Sequence, residues 1–167
     1  MLPIVLNPVS LKVGLAGQGE LCDRRAALLA DAGVEVRRLP DPVPDDVLAS
    51  LQLLFVAGMP EGEARELTRR ARLQGVLVNV EDVLPLCDFH VPAIVRRGDL
   101  LLTASTGGQV PGLSRVLRES LAEDYGPEWT QRMKELSLAR AKWRSQGLSM
   151  AEVSQHVRDM ISAMGWL

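Results

Sequence analysis

Gly75-Val76-Leu77-Val78-Asn79-Val80-Glu81-Asp82 is the stretch that decides how this chain is read. Apart from Asn79, residues 76–80 are apolar, rich in β-branched side chains and bounded by Gly75, which reads as a buried parallel strand. Glu81 and Asp82 place carboxylates just past its end, and open α/β sheets bind their ligands outside the carboxyl ends of the strands. Asp82 is therefore the candidate catalytic residue. By itself it fits a helix N-cap or a turn residue equally well. Glu81 reads as its solvated neighbour.

The pattern extends in both directions from that strand. A first strand is expected over residues 12–16, then a helix over 19–32 with Leu21, Leu28 and Ala32 at helical spacing and Gly33 as its stop. A second strand follows at 34–39. Pro40, Pro42 and Pro44 make residues 40–46 a turn-rich excursion, because proline fits neither a ladder nor a helix interior. A strand at 51–57 and a helix at 61–74, with Ala64, Leu67 and Ala71 on one face, lead back to 76–80. Strand and helix alternating in this way specify an α/β fold with right-handed crossovers and a parallel sheet. Beyond Asp82, residues 93–95 and 100–103 flank Arg96-Arg97-Gly98-Asp99, a hairpin expected to continue the sheet. The remainder reads as helical: Pro111 near a start with Leu113, Val116, Leu117 and Leu121 following, Gly126-Pro127 near another, then Trp129, Met133, Leu136 and Trp143. Ser149-Met150-Ala151-Glu152 is a capping-box pattern. These last helices carry the three tryptophans, a packing surface expected to be shared with a second copy in a homodimer.

Composition narrows the function. With 167 residues, 47% hydrophobic and 24% charged, the chain can bury a core without a disulfide or metal staple. A net charge of −2 gives no general attraction to nucleic acid. No apolar run reaches the roughly 18 residues of a membrane span, and the N-terminus lacks a signal-peptide pattern, so a cytoplasmic protein without a membrane partner is expected. Cys22 and Cys87 show no CxxC spacing and only His90 and His156 could join them, so no metal site is expected. Both cysteines read as small buried side chains, and His90 as a packing or hydrogen-bonding residue.

Gly17-Gln18-Gly19-Glu20-Leu21-Cys22 follows the first strand and opens a helix, the context in which glycines let a pyrophosphate approach backbone N–H groups. Residues 17–21 are the candidate cofactor-binding turn; a plain strand-to-helix turn that needs glycine is the other reading. Asp41 lies near the distance at which an acid binds ribose hydroxyls, while Arg37 and Arg38 leave room for a 2′-phosphate, so NAD versus NADP stays open. Ser105-Thr106-Gly107-Gly108-Gln109 offers hydroxyls and a helix start to an anion, or is merely a connection. Arg96, Arg97, Arg115 and Arg118 lie around it in sequence, suited to a polycarboxylate if they face a pocket and to solvent otherwise.

Taken in order, these residues resemble the precorrin-2 dehydrogenase family, the dehydrogenase/ferrochelatase module of siroheme synthesis that also forms the N-terminal part of siroheme synthase. The resemblance covers residues 13–121. It is carried by Gly17-x-Gly19 with Asp23-Arg24-Arg25-Ala26, by Val78-Asn79-Val80-Glu81-Asp82, by Leu86-Cys87-Asp88-Phe89, by Pro92-Ala93-Ile94-Val95-Arg96-Arg97-Gly98-Asp99-Leu100, and by Ser105-Thr106-Gly107-Gly108 with Pro111, Leu113, Ser114 and Arg115. It implies a Rossmann-like domain over residues 1–90, a dimerisation and substrate region over 91–124, and a small helical part over 125–167. The implied activity is NAD-dependent oxidation of the tetrapyrrole precorrin-2 to sirohydrochlorin, with Asp82 as proton acceptor or as an aid to metal insertion. Asn79, Ser105, Thr106, Gly107, Arg96 and Arg115 are the implied substrate contacts. The chain departs from the family at Ala57-Gly58-Met59-Pro60-Glu61, where an Ala-Thr-Asp-Asp pattern is usual, and at Gln18, where a glycine is usual. Rival expectations are a bifunctional dehydrogenase/ferrochelatase and a non-catalytic tetrapyrrole- or nucleotide-binding module.

Overall fold

The computed structural model describes residues 1–167, which divide into two compact units, Met1–Val91 and Pro92–Leu167. In the first unit, β1 (Val13–Ala16), β2 (Val36–Arg38), β3 (Leu53–Val56) and β4 (Leu77–Val80) form one sheet in the order β2-β1-β3-β4, with every pair parallel. The connections carry α1 (Gly19–Asp31), α2 (Asp45–Ala49) and α3 (Glu61–Leu73).

Side chains alternate across the two central strands, as a period of two requires. Val13, Leu15, Leu53 and Phe55 pack on one face with Cys22 and Leu29 of α1. Ala16, Leu54 and Val56 pack on the other face with Leu48 of α2 and Ala64, Leu67 and Ala71 of α3. Burial on both faces explains why β1 and β3 read as unbroken apolar runs. α2 was not expected from the sequence. Pro44 stands immediately before it, and a proline that breaks a helix interior is tolerated at a helix start.

The segment after Asp82 turns back along the free edge of β4. Asp88 N–H donates to Val78 O at 2.7 Å, and the Asp88 carboxylate accepts from Val78 N–H at 2.9 Å. Further along, the Cys87 thiol donates to Val80 O at 3.1 Å and the Asn79 amide donates to Phe89 O at 2.9 Å. Leu86-Cys87-Asp88-Phe89 thus satisfies backbone groups that an edge strand would leave open. For the same reason the hairpin cannot join there. β5 (Ala93–Arg97) and β6 (Leu100–Ala104) form a separate two-stranded antiparallel sheet, correcting the expectation that they extend the parallel one.

In the second unit α4 (Pro111–Asp124) packs on that hairpin, and α5 (Trp129–Ser145) and α6 (Met150–Ala163) form a helical hairpin. The Arg97 guanidinium donates to Tyr125 O at 2.8 Å and Ala122 O at 3.2 Å, satisfying carbonyls at the end of α4. Ser149 and Glu152 form the expected capping box. Arg132 lies between the rings of Trp129 and Trp166, 5.1 and 5.3 Å from their centroids, and Trp143 stacks on His156. Trp166 lies just past the end of α6 rather than on it. No helix is long and apolar enough to cross a membrane.

One close approach fixes the carboxyl edge of the sheet. Gly17 has φ +112° and Gly58 has φ +67°. A Cβ on Gly17 would overlap the Ala57 carbonyl oxygen, and one on Gly58 would overlap that of Gln18. The loops after β1 and β3 therefore meet backbone to backbone. Gly17→Ala and Gly58→Ala are each expected to destabilise the protein by about 2–4 kcal/mol through left-handed strain and overpacking. Chemical denaturation checks this; an unchanged midpoint in both variants would contradict the apposition.

Candidate active site at the carboxyl edge

The turns that leave β1, β2 and β3 converge on a small cleft of about 50 Å³, lined among others by Gly17, Gln18, Asp41, Gly58, Met59 and Glu63. Asp41 is thereby brought to the glycine turn, although 22 residues separate it from Gly19 in sequence. A larger concavity of about 560 Å³ runs along α3 beside Arg65, Arg69 and Arg72. Those arginines are held by Glu61, Glu66 and Asp88, so that groove offers an anion no free cation.

The N-terminus of α1 suits a diphosphate. Gln18 caps it in an extended conformation and makes no side-chain cap bond, which leaves the first-turn amides available. Gly19 adds open space, since a Cβ there would meet nothing within 4 Å. Asp41 across the cleft places carboxylate acceptors opposite that turn. A drug-sized pocket is typically about 300–1,000 Å³, so a dinucleotide would lie over this edge rather than within the 50 Å³ cleft. Of the other turn residues, Glu20 is exposed and 3.9 Å from Arg24, and Leu21 packs against the α1 face of the core.

Cys22 occupies the position that the glycine fingerprint reserves for a small residue. It is 1% exposed, and its thiol lies 3.4 Å from Gly17 O, as a donor supporting the turn from below. Burial pushes this thiol up from its ordinary range; Arg38 pulls the other way, and Asp23 and Glu81 add to the rise. Arg38 is itself engaged, donating to Asp23 at 2.8 Å. That pairing leaves Arg37 as the less committed of the two β2 arginines.

Asp82 lies exposed two residues past β4, in the turn. It has φ +62° and is the one non-glycine residue of the chain with a left-handed backbone. The next helical turn, Leu84–Leu86, is capped by Val83, so Asp82 is a turn residue and not an N-cap. Glu81 is not the solvated neighbour that the sequence suggested. Its side chain is 22% exposed and faces Arg25 at 3.8 Å. Arg25 was missed by sequence reading, yet it falls three residues after Cys22 and four before Leu29, on the buried face of α1. A lone arginine at such a position is the signal that finds it.

The remaining candidates are more committed to the fold. Asn79 is 6% exposed, with its amide given to Phe89 O. In the second unit the Thr106 hydroxyl lies 3.0 Å from Ser114 Oγ and accepts from Val110 N–H, and Ser105 Oγ accepts from Gly107 N–H. Gly107 and Gly108 both have positive φ. Arg115 pairs with Glu119 at 3.0 Å, while Arg96 is exposed on β5.

Known proteins share parts of the sequence and the fold of this chain. Residues 37–93 match the family model NAD_binding_7, described as "Putative NAD(P)-binding". Siroheme synthase of Nitrosococcus oceani is 31% identical over 140 residues, covering 72% of this chain and 30% of that protein. Siroheme synthase of Azotobacter vinelandii is 36% identical over 139 residues, covering 70% of this chain and 30% of that one. The chain thus spans less than a third of the length of these relatives. Among solved structures, SirC, a precorrin-2 dehydrogenase, superposes with a TM-score of 0.70 at 19% identity, covering 96% of this chain and 89% of its own. That likeness establishes the fold.

Because burial raises the pKa of the Cys22 thiol and shields it from reagent, its alkylation by iodoacetamide is expected to be at least about tenfold slower than that of an unstructured thiol, with the rate restored by denaturant. Peptide mass spectrometry at timed intervals reads this directly. Rapid labelling of Cys22 in the folded protein would contradict the supported turn.

Proposed function

The chain belongs to the siroheme synthase family, and on that premise we propose that it catalyses the NAD-dependent oxidation of precorrin-2 to sirohydrochlorin. The observation that carries this reading is Asp82: an exposed carboxylate in a left-handed turn at the carboxyl end of the last parallel strand. Strained conformations persist where the surroundings impose them, and they cluster at active sites. A carboxylate there can accept the proton lost as the macrocycle becomes conjugated.

The nicotinamide, when bound, supplies the hydride acceptor. The chain supplies the rest: α1 amides and the space before Gly19 for the diphosphate, Asp41 for ribose hydroxyls, and Asp82 for the proton. Glu63 also lines the cleft and Arg38 is tied to Asp23, an arrangement that favours NAD over NADP. The residues proposed to contact the substrate are Arg96 and Arg115 for its carboxylates, and Asn79, Ser105, Thr106 and Gly107. The domain reading is a dinucleotide-binding domain over 1–90, a dimerisation and substrate region over 91–124, and a helical tail over 125–167.

A homodimer is part of the proposal, as is a cytoplasmic setting, consistent with two unpaired cysteines. α4 has no buried residue, and Val110, Leu113, Val116 and Leu117 are 51%, 47%, 60% and 42% exposed. A second copy of the chain is the occupant proposed for this face. The Gly58-Met59-Pro60 turn, which brings no polar side chain to the cleft beyond Glu63, favours one alternative, a tetrapyrrole-binding module without redox chemistry.

Purified protein given precorrin-2 and NAD is expected to produce NADH absorbance and the sirohydrochlorin spectrum together, and Asp82→Asn is expected to lower kcat by about 10²–10³-fold. A flat trace with either dinucleotide would support the binding module instead. Light scattering is expected to give a dimer that Val116→Glu with Leu117→Glu converts to a monomer; a wild-type monomer would remove the dimer from the proposal.

A further inference from the structure

Two carboxylates follow one another at the end of β4, and the fold treats them oppositely. Glu81 turns inward with 22% of its side chain exposed, while Asp82 stands exposed to solvent. The group that faces Glu81 is Arg25, 14% exposed, with Nη2 3.8 Å from Glu81 Oε2. Arg25 is placed by ring faces as well as by charge. Its guanidinium lies 5.5 Å from the centroid of Phe55, which meets Phe89 edge-on at 5.3 Å.

Glu81 Oε2 is buried and accepts no hydrogen bond, so Arg25 is its only counter-charge. A carboxylate oxygen removed from water needs such compensation, and solvent screens a partly buried pair less than a surface one. Removing the cation therefore leaves Glu81 a strong reason to turn outward. The backbone cannot absorb that change freely. Glu81 N–H donates to Val56 O at 2.9 Å and Val83 N–H to Val80 O at 3.3 Å, with Asp82 held between them at φ +62°.

We infer that Arg25 and Glu81 are a positioning pair: the arginine of α1 selects which of two adjacent carboxylates is drawn inward, and so keeps Asp82 outward in its left-handed turn. The role of Asp82 as proton acceptor rests on the function proposed above, whereas the control of the turn does not. Since Arg25 lies on the helix whose N-terminus faces the cofactor cleft, the pair also ties the Asp82 turn to that helix.

The test uses Glu81→Gln, which keeps the side-chain size, Arg25→Met, their double variant, and Arg25→Lys as the conservative replacement. Amide hydrogen exchange by NMR reads the turn without reference to activity. Glu81→Gln and Arg25→Met are each expected to speed exchange at least tenfold at the two bonded amides of the turn, those of residue 81 and Val83, leaving Leu54 and Val56 protected. Each is expected to lower kcat at least tenfold with NAD affinity within twofold of wild type. The double variant is expected to be no worse than either single one, and Arg25→Lys to restore most of both effects. If Arg25→Met does not fold, Glu81→Gln and Arg25→Lys decide the matter by the same readings. Unchanged exchange at residue 81 and Val83, single effects that multiply in the double variant, or lost protection across the whole sheet would overturn the pair. A wild-type protein inert toward precorrin-2 removes the proposed role of Asp82, and the exchange data then judge the positioning of the turn alone.

Discussion

The carboxyl edge of this protein depends on two loops that touch through bare backbone. Gly17 fits against the Ala57 carbonyl and Gly58 against that of Gln18, at distances no side chain would permit. This contact brings the exits of β1 and β3 together, sets the entry of α1, and leaves the space in front of Gly19 open. Gln18, where the family has a further glycine, contributes its backbone to the contact, so its side chain does not obstruct it. A short cleft with free amides at one wall and Asp41 and Glu63 at others is the outcome.

Around that edge, much of the polar hardware serves the fold before it serves chemistry. Asn79, Cys87 and Asp88 close the edge of β4 and Arg72 bridges α3 to Asp88; within the second unit, Arg97 caps α4. Residues that form a recognisable motif in sequence are thus divided between two tasks. Asp82 is the exception: it takes no part in these bonds, yet its backbone is held where an aspartate pays a conformational cost. Under the proposed function, an unengaged carboxylate on a fixed backbone suits proton abstraction.

The sheet was legible because β1, β3 and β4 are short apolar runs separated by helical periodicity, and because Gly33 marks the end of the first helix. Membership of the hairpin was not legible. The strand pattern of residues 93–104 says that two strands pair with each other, whereas the availability of a sheet edge depends on Asp88 and Cys87 hydrogen bonding along β4. α2 was hidden by a proline cluster that signals turns and helix starts alike. At the site, the glycine turn and Asp82 could be found from spacing, and Asp41 from its distance along the chain. The inward turn of Glu81 could not, since its partner Arg25 is 56 residues away and is brought near only by the packing of α1 on the sheet. Glu63 escaped notice for a similar reason, its relation to the cleft being set by how α3 leaves the Gly58 turn.

Under the proposed function this edge holds a nicotinamide dinucleotide beside Asp82, despite the unusual turn at Gly58. Titration calorimetry with NAD addresses it most directly. The structure predicts one NAD bound per chain, weakened at least tenfold by Asp41→Ala and left intact by Asp82→Asn. Absence of binding by both NAD and NADP, with a tetrapyrrole still bound, would contradict it.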